Sequence, residues 1–202
     1  MTARHLVFLG PPASGKGTQG RRVAEDSGLA YLSTGALLRT AVREETTLGE
    51  QARPYLERGD FVPDEIMVPM ILEWVGEQAD GWLLDGFPRT LAQAEALDDA
   101  LEVKPRAIVL HVNDEELRQR VTSRLECIQC HRVAREGNGI RCPKCGGRLE
   151  PRADDAAGKF ENRLSEYRRL VVPVITYYCD RQRARIINGG GSPDEVYARI
   201  SG

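Results

Sequence analysis

The stretch Gly10-Pro11-Pro12-Ala13-Ser14-Gly15-Lys16-Gly17-Thr18-Gln19 carries the pattern G-x-x-x-x-G-K, but glycine stands where the general motif places a hydroxyl. A loop of this kind turns backbone N–H groups toward an anion, and the following helix N-terminus adds partial positive charge. Lys16 is placed to reach terminal phosphates. Gly17 rules out a direct hydroxyl–Mg²⁺ bond from that residue, while Thr18 can still meet a phosphate through its N–H or hydroxyl. Mg²⁺ keeps several waters readily and binds through phosphates and one or two carboxylates. The chemistry implied is phosphoryl transfer, with the cation held on the nucleotide itself. Asp85 follows the apolar run Trp82-Leu83-Leu84, and ligands of open α/β sheets bind outside the carboxyl ends of such strands. It is therefore the carboxylate best placed to help hold Mg²⁺. The plain alternative is a tight βα turn with an exposed lysine.

Cys127-Ile128-Gln129-Cys130 and Cys142-Pro143-Lys144-Cys145 form two C-x₂-C pairs separated by eleven residues. Each pair can bend around one tetrahedral ion, and four thiolates close the coordination sphere, so the spacing points to structural Zn²⁺. Iron can enter such a site, since ligand type does not fully select the metal. Two disulfides or unpaired thiols are the alternatives, the first disfavoured in a reducing compartment. Arg132, Arg141, Lys144 and Arg148 are near enough in sequence to offset the charge of the thiolates. Cys179 stands alone beside Tyr177 and Tyr178 and reads as a small buried side chain.

These residues need elements to position them. Leu6–Leu9, Trp82–Leu84, Ala107–Leu110 and Arg185–Ile187 are near-continuous apolar runs, as strands buried on both faces of a parallel sheet require; Leu29–Leu32 is a weaker fifth. Helical segments separate them: Gly15–Asp26 with Gly28 as terminator, one capped by Ser33, one from Asp64 to Trp74, and one from Asn113 to about Glu126. A long helix spans about Ala157 to Arg183, kinked at Pro173. Alternation of strands and helices indicates a doubly wound α/β fold with a five-stranded parallel sheet. Residues 33–62 insert helical material. Residues 125–160, rich in Cys, Gly, Arg and Pro, read as a small separate unit. The remainder, 1–32, 63–124 and 161–202, forms the core.

At 202 residues with net charge −2, the chain suits one domain with a modest insertion and lacks the basic excess of a general nucleic-acid binder. No apolar run approaches a membrane span, and Met1–His5 lacks the apolar core of a signal peptide, so the expected location is cytoplasmic.

Together, the loop from Gly10 to Thr18, Ser33-Thr34-Gly35 with Leu38-Arg39, and Asp85-Gly86-Phe87-Pro88-Arg89-Thr90 resemble adenylate kinase, a nucleoside monophosphate kinase family, in the expected order over essentially the whole chain. In that family the loop reads G-K-G-T, so Gly17 conforms. The resemblance implies Mg-dependent transfer between ATP and AMP giving two ADP, adenine nucleotide homeostasis, and a monomer without nucleic-acid or membrane partners. It implies that Gly10, Pro11, Ala13, Ser14, Gly15, Lys16, Gly17, Thr18 and Gly191 meet ATP. Arg120 stacks on the donor base, and Arg124 grips the donor when a lid closes. Thr34, Gly35, Val62, Gly86 and Gln93 line the acceptor, and Arg39, Arg89, Arg152 and Arg163 hold its phosphate and the transferred group. Lys16, Asp85, Arg89, Arg124, Arg152 and Arg163 form the catalytic set. The cysteine segment resembles the zinc-containing lid of one subgroup, with a shorter spacing between its pairs.

Thr34 favours AMP, since related pyrimidine kinases usually carry alanine there. Ala36 departs from the usual Ser-Thr-Gly-Asp and removes a local hydrogen bond. Asp154 and Asp155 read equally as a solvated acidic turn, and His5, His111 and His131 take no catalytic role. Rival readings are a GTP-dependent AMP kinase or other nucleoside monophosphate kinase and, from another class, a zinc-ribbon nucleic-acid-binding P-loop protein.

Overall fold

The computed structural model describes residues 4–135 and 139–202; Met1–Ala3 of the N-terminal stretch and residues 136–138 of the 125–160 segment lie outside them. The central sheet is five-stranded and parallel: β1 (His5–Leu9), β2 (Ala30–Ser33), β3 (Trp82–Asp85), β4 (Arg106–His111) and β8 (Ala184–Asn188), in the order β2-β3-β1-β4-β8. β1 is central, flanked by β3 and β4, so the loop that follows it opens at the middle of the sheet's carboxyl edge. The register pairs Phe8 with Asp85 and Ser33 with Asp85, which brings the ends of β1, β2 and β3 side by side.

Helices cover both faces. α1 (Lys16–Ser27) and α9 (Pro193–Ser201) pack Val23, Ala24, Val196 and Ile200 against Leu6, Phe8 and Leu110. On the other face α4 (Asp64–Gly76), α5 (Leu91–Asp99) and α8 (Val172–Asp180) surround Trp82, Leu84 and Val109. β8 departs from the expected two-sided burial. It is an edge strand, and Ile186 is 61% exposed.

The helix expected to reach Glu126 stops earlier. α6 (Asp114–Thr122) is capped by the Asn113 side chain and ends at Ser123. Arg124 then opens β5 (Arg124–Cys127), which pairs antiparallel with β6 (Val133–Arg135) and β7 (Leu149–Pro151). Ladder pairing in this small sheet overrides local helix preference, so Arg120 and Arg124 do not share a helix face. The long C-terminal helix is also divided: α7 (Ala157–Glu166) leads into a π-helical segment, Tyr167–Val171, before α8. Pro173 sits just after this widened turn, near the start of α8, and the widened turn accommodates its ring and missing N–H within the continuous helix. Cys179 is exposed, not buried, because it occupies the outer side of α8 while Tyr177 and Tyr178 take the inner side.

Residues 33–62 supply α2 (Thr34–Arg43) and α3 (Thr47–Arg58). Ser33 caps α2 by accepting from the Ala36 N–H, and Thr46 caps α3 by accepting from the Gly49 N–H. The two helices meet closely: a Cβ at Gly49 would lie 2.1 Å from the Ala41 carbonyl oxygen. Gly49→Ala is expected to destabilise the protein by about 1–3 kcal/mol through overpacking. Denaturant unfolding checks this, and an unchanged midpoint at unchanged m-value would show that the hairpin gives way freely.

Candidate active site

One cavity of about 950 Å³ opens at the carboxyl edge of the sheet, between the loop after β1, the α2–α3 hairpin and the three-stranded unit. Ala13, Ser14, Gly15, Lys16, Gly17 and Thr18 line it. Gly15 adopts φ +95° at the N-cap of α1, a conformation glycine takes without strain, and α1 has no side-chain cap there. The first N–H groups of α1 are thereby left for a ligand.

Lys16 folds back over the loop, donating from Nζ to the carbonyls of Gly10 at 2.7 Å and Pro11 at 2.8 Å. Burial lowers its pKa to about 7; Asp85 opposes the shift, and Arg89, Arg163 and Arg124 add to it. Gly17 is explained by its neighbours. A Cβ at this position would stand 3.2 Å from Asp85 Oδ2 and 3.7 Å from the Tyr31 hydroxyl. The absent side chain leaves room for the Asp85 carboxylate, which accepts a 2.9 Å hydrogen bond from Tyr31.

Eight arginines line this cavity, and six of them, Arg39, Arg89, Arg120, Arg124, Arg152 and Arg163, approach it from different elements. Arg89 donates from Nε to Gly86 O at 2.6 Å and lies over the Phe61 ring, 4.5 Å from its centroid. Burial lowers its pKa to about 10, with Arg163 adding to the shift and Asp85 opposing it. Arg120 donates to Ser14 O at 3.1 Å and Gly189 O at 2.7 Å, tying the loop to the turn after β8, where Gly191 also lines the cavity. Arg124 pairs with Asp155, and Arg163 pairs with Asp154 at 2.9 Å and Asp155 at 3.2 Å. Asp154 and Asp155 are thus not a solvated acidic turn. Burial raises Asp154, but Arg163, Arg39, Arg152 and Arg124 outweigh it and hold the carboxyl at about 2.

Gly35, Arg39, Val62 and Gly86 line the far end of the cavity. Thr34, Gln93 and Pro11 do not line it, and Gly10 lines only a small annex beside Lys16 and Arg89. Thr34 is fully buried and donates to Gly86 O at 3.1 Å. Gln93, which by itself reads as an exposed helix residue, is buried: it accepts from Arg89 N–H at 2.7 Å and donates to Asp64 at 2.6 Å.

Sequence reasoning missed Tyr31, Phe61, Asp64 and Glu126. Glu126, on β5, receives a bidentate contact from Arg39, with Nη2 at 3.1 and 3.0 Å from its two oxygens, and pairs also with Arg152. Its place next to Cys127 in a segment read for metal chemistry gave no signal of this role.

The four cysteines come together. Their Sγ atoms all lie within 4.8 Å of one another, with Cys127–Cys145 at 3.5 Å and Cys130–Cys142 at 3.6 Å. Tetrahedral Zn²⁺ with bonds of about 2.3 Å needs sulfurs about 3.8 Å apart, so the donor set fits. A Cβ on Gly147 would lie 2.8 Å from Cys127 Sγ, so the second knuckle closes only with glycine there. His131 is turned away, bonding Glu126 through Nδ1 at 3.0 Å and Thr40 through Nε2 at 2.9 Å. Of the basic residues expected to offset the thiolates, Arg132 instead pairs with Glu25 of α1 and Arg148 with Glu150.

Comparison with known proteins agrees with this geometry. The family model for adenylate kinase matches residues 8–183. Adenylate kinase of Thermodesulfovibrio yellowstonii is 40% identical, over 96% of each chain. That of Thermus thermophilus is 42% identical, over 96% of this chain and 94% of its own, and that of Archaeoglobus fulgidus is 40% identical, over 94% and 92%. With its central loop, converging arginines and match along nearly its full length, the chain belongs to the adenylate kinase family.

Proposed function

We propose that the protein catalyses reversible transfer of the γ-phosphoryl group of Mg·ATP to AMP, giving two ADP. The observation that carries this is the meeting of Lys16, the open N–H groups of α1 and eight arginines in one cavity of about 950 Å³, lined by both the loop after β1 and the α2–α3 hairpin. Phosphoryl transfer through a loose, in-line transition state needs positioning and charge neutralisation more than covalent chemistry. An oxygen of the acceptor's phosphate forms the new bond to Pγ while the bond from Pγ to the bridging oxygen of ADP breaks. That attacking oxygen is already ionised near neutral pH, so no general base is needed. No covalent enzyme intermediate forms.

In this reading the loop from Gly10 to Thr18 and Lys16 hold the donor's phosphates, with Arg120 and Gly191 beside the donor base. Arg124 and Arg163 bear on the transferred group, and Arg39, Arg89 and Arg152 on the acceptor's phosphate. Mg²⁺, when bound with ATP, neutralises charge on the donor phosphates, and Asp85 is the residue that would order its water shell. Gly35, Val62 and Gly86 line the acceptor pocket. Thr34 and Gln93 act from behind it, Thr34 by holding Gly86 and Gln93 by holding the Arg89 backbone. The division into a core (1–32, 63–124, 161–202), an acceptor insertion (33–62) and a lid (125–160) follows the same assignment. The resemblance supports a cytoplasmic monomer, and the net charge of −2 speaks against a general nucleic-acid binder. Among the described residues no helix is long and apolar enough to cross a membrane.

AMP is expected to be phosphorylated far faster than CMP, UMP or GMP with ATP as donor; preference for CMP or UMP in a coupled assay rejects the assignment. Arg89→Lys, which loses the planar fork, is expected to lower kcat on the order of a hundredfold, as loss of a transition-state donor does elsewhere.

The proton balance of Lys16 gives an independent check. Its pKa of about 7 in the free protein leaves it mostly neutral at pH 8, and donor phosphates raise that value, so nucleotide binding at pH 8 takes up a proton. At pH 6 the lysine is already protonated and the uptake vanishes. Calorimetry in buffers of different ionisation enthalpy measures this, and equal uptake at both pH values would contradict it.

For the cysteine cluster we assign structural Zn²⁺ at about one equivalent per chain, with a marked fall in thermal midpoint on chelation. Gently purified protein with less than about a tenth of an equivalent, by metal analysis, counts against the site.

A further inference from the structure

Glu126 is gripped by two arginines of the cavity. Arg39 meets both carboxylate oxygens, from Nε at 3.3 Å and Nη2 at 3.1 Å to Oε1, and from Nη2 at 3.0 Å to Oε2. Arg152 pairs with Oε2, and His131 Nδ1 donates to Oε1 at 3.0 Å. Arg39 stands on α2 and Arg152 just after β7, so one side chain of β5 fastens the three-stranded unit to the acceptor insertion. His131 to Thr40 and Arg43 to Ile128 O, at 2.9 and 2.7 Å, lie along the same seam.

Two observations mark this as a borrowed contact and not a finished ion pair. Both arginines line the cavity, although the carboxylate that neutralises them comes from the protein itself. Arg152 Nε is buried and has no hydrogen-bond partner among the described residues. A guanidinium fork with a donor to spare suits a phosphate, which offers three oxygens and up to two charges where a carboxylate offers two oxygens and one.

We propose that Glu126 is an internal competitor for the acceptor nucleotide's phosphate: it occupies the Arg39–Arg152 anion site in the free protein and is displaced when a nucleoside monophosphate binds. This rests on the phosphotransfer reading above. The phosphate prevails because it carries more charge and can also engage Arg152 Nε. Acceptor affinity is reduced by the fraction of molecules whose arginines are held by Glu126, since a ligand binds only the competent fraction. Release of Glu126 also removes its ion pair from the seam to α2, leaving His131–Thr40 and Arg43–Ile128 O, so acceptor capture loosens the docking of the three-stranded unit. Glu126 is a positioning residue, and its influence falls on acceptor binding, not on the transfer step.

The test is Glu126→Gln in the full-length, zinc-replete enzyme, with initial rates over AMP at saturating ATP and over ATP at saturating AMP. The expected result is a KM for AMP lower by threefold or more, with smaller changes in kcat and in the KM for ATP. Inorganic phosphate, as an inhibitor competitive with AMP, is expected to bind more tightly by a similar factor. A side chain that merely braced Arg39 and Arg152 would raise the KM for AMP when altered. An unchanged or raised KM in an active variant therefore overturns the proposal. If the glutamine variant does not fold, Glu126→Asp, which withdraws the carboxylate by one methylene, carries the same expectation; if neither folds, Glu126 is a structural ion-pair partner and the competitor role is rejected. Absence of any nucleoside monophosphate phosphorylation by the wild-type enzyme would instead reject the phosphotransfer reading itself.

Discussion

Cations gathered in one cleft repel one another, and the surrounding architecture answers that repulsion. Two unit charges about 6 Å apart repel by about 3 kcal/mol at an effective dielectric constant of 20. The cavity is lined by eight arginines and Lys16. In the free protein most of these cations find an internal acidic partner, while Arg89 donates to Gly86 O and lies over the Phe61 ring. Asp154 and Asp155 serve Arg163 and Arg124, Glu126 serves Arg39 and Arg152, and Glu116 serves Arg120. Lys16 answers differently: burial shifts its pKa down and its Nζ meets loop carbonyls.

Most of these partners reach their arginines from another element, so charge balance and architecture are one problem. The parallel sheet brings the ends of β1, β2 and β3 together, which sets Lys16, Asp85 and the start of α2 in register. The second sheet is too small to hold itself by apolar burial; Cys127, Cys142 and Leu149 are its buried core. A cysteine cluster whose geometry fits a metal ion, and ion pairs to α1 and α2, stand in for that missing core. The acidic partners that neutralise the arginines therefore also dock the small unit, and phosphate ligands compete with docking.

Much of the fold was legible because its signals are local. Apolar runs without alternation gave the strands of a covered parallel sheet, and Asn113, Ser33 and Gly28 marked helix ends through their own side chains or lack of one. The errors fell where distant contacts decide. The segment after Ser123 has helical neighbours in sequence but pairs as β5, and β8 is half exposed because nothing lies beyond it in the sheet. At the site, the loop and the cysteine pairs were readable from spacing. Gln93 looked like a surface residue because Asp64, which accepts from its amide, comes from a different helix far from it in the chain.

The sequence by itself determined the chemistry: a phosphate loop without a hydroxyl ligand to Mg²⁺, a set of arginines, and two cysteine pairs at zinc spacing. Those are properties of residue type and short separation. Only the tertiary structure decided why residue 17 is glycine, since the Asp85 oxygen it accommodates lies on a neighbouring strand. Only the tertiary structure decided, too, which carboxylate neutralises which arginine. Ion pairing depends on distances of a few ångströms between segments far apart in the chain, and nothing local to Glu126 records that Arg39 and Arg152 converge on it.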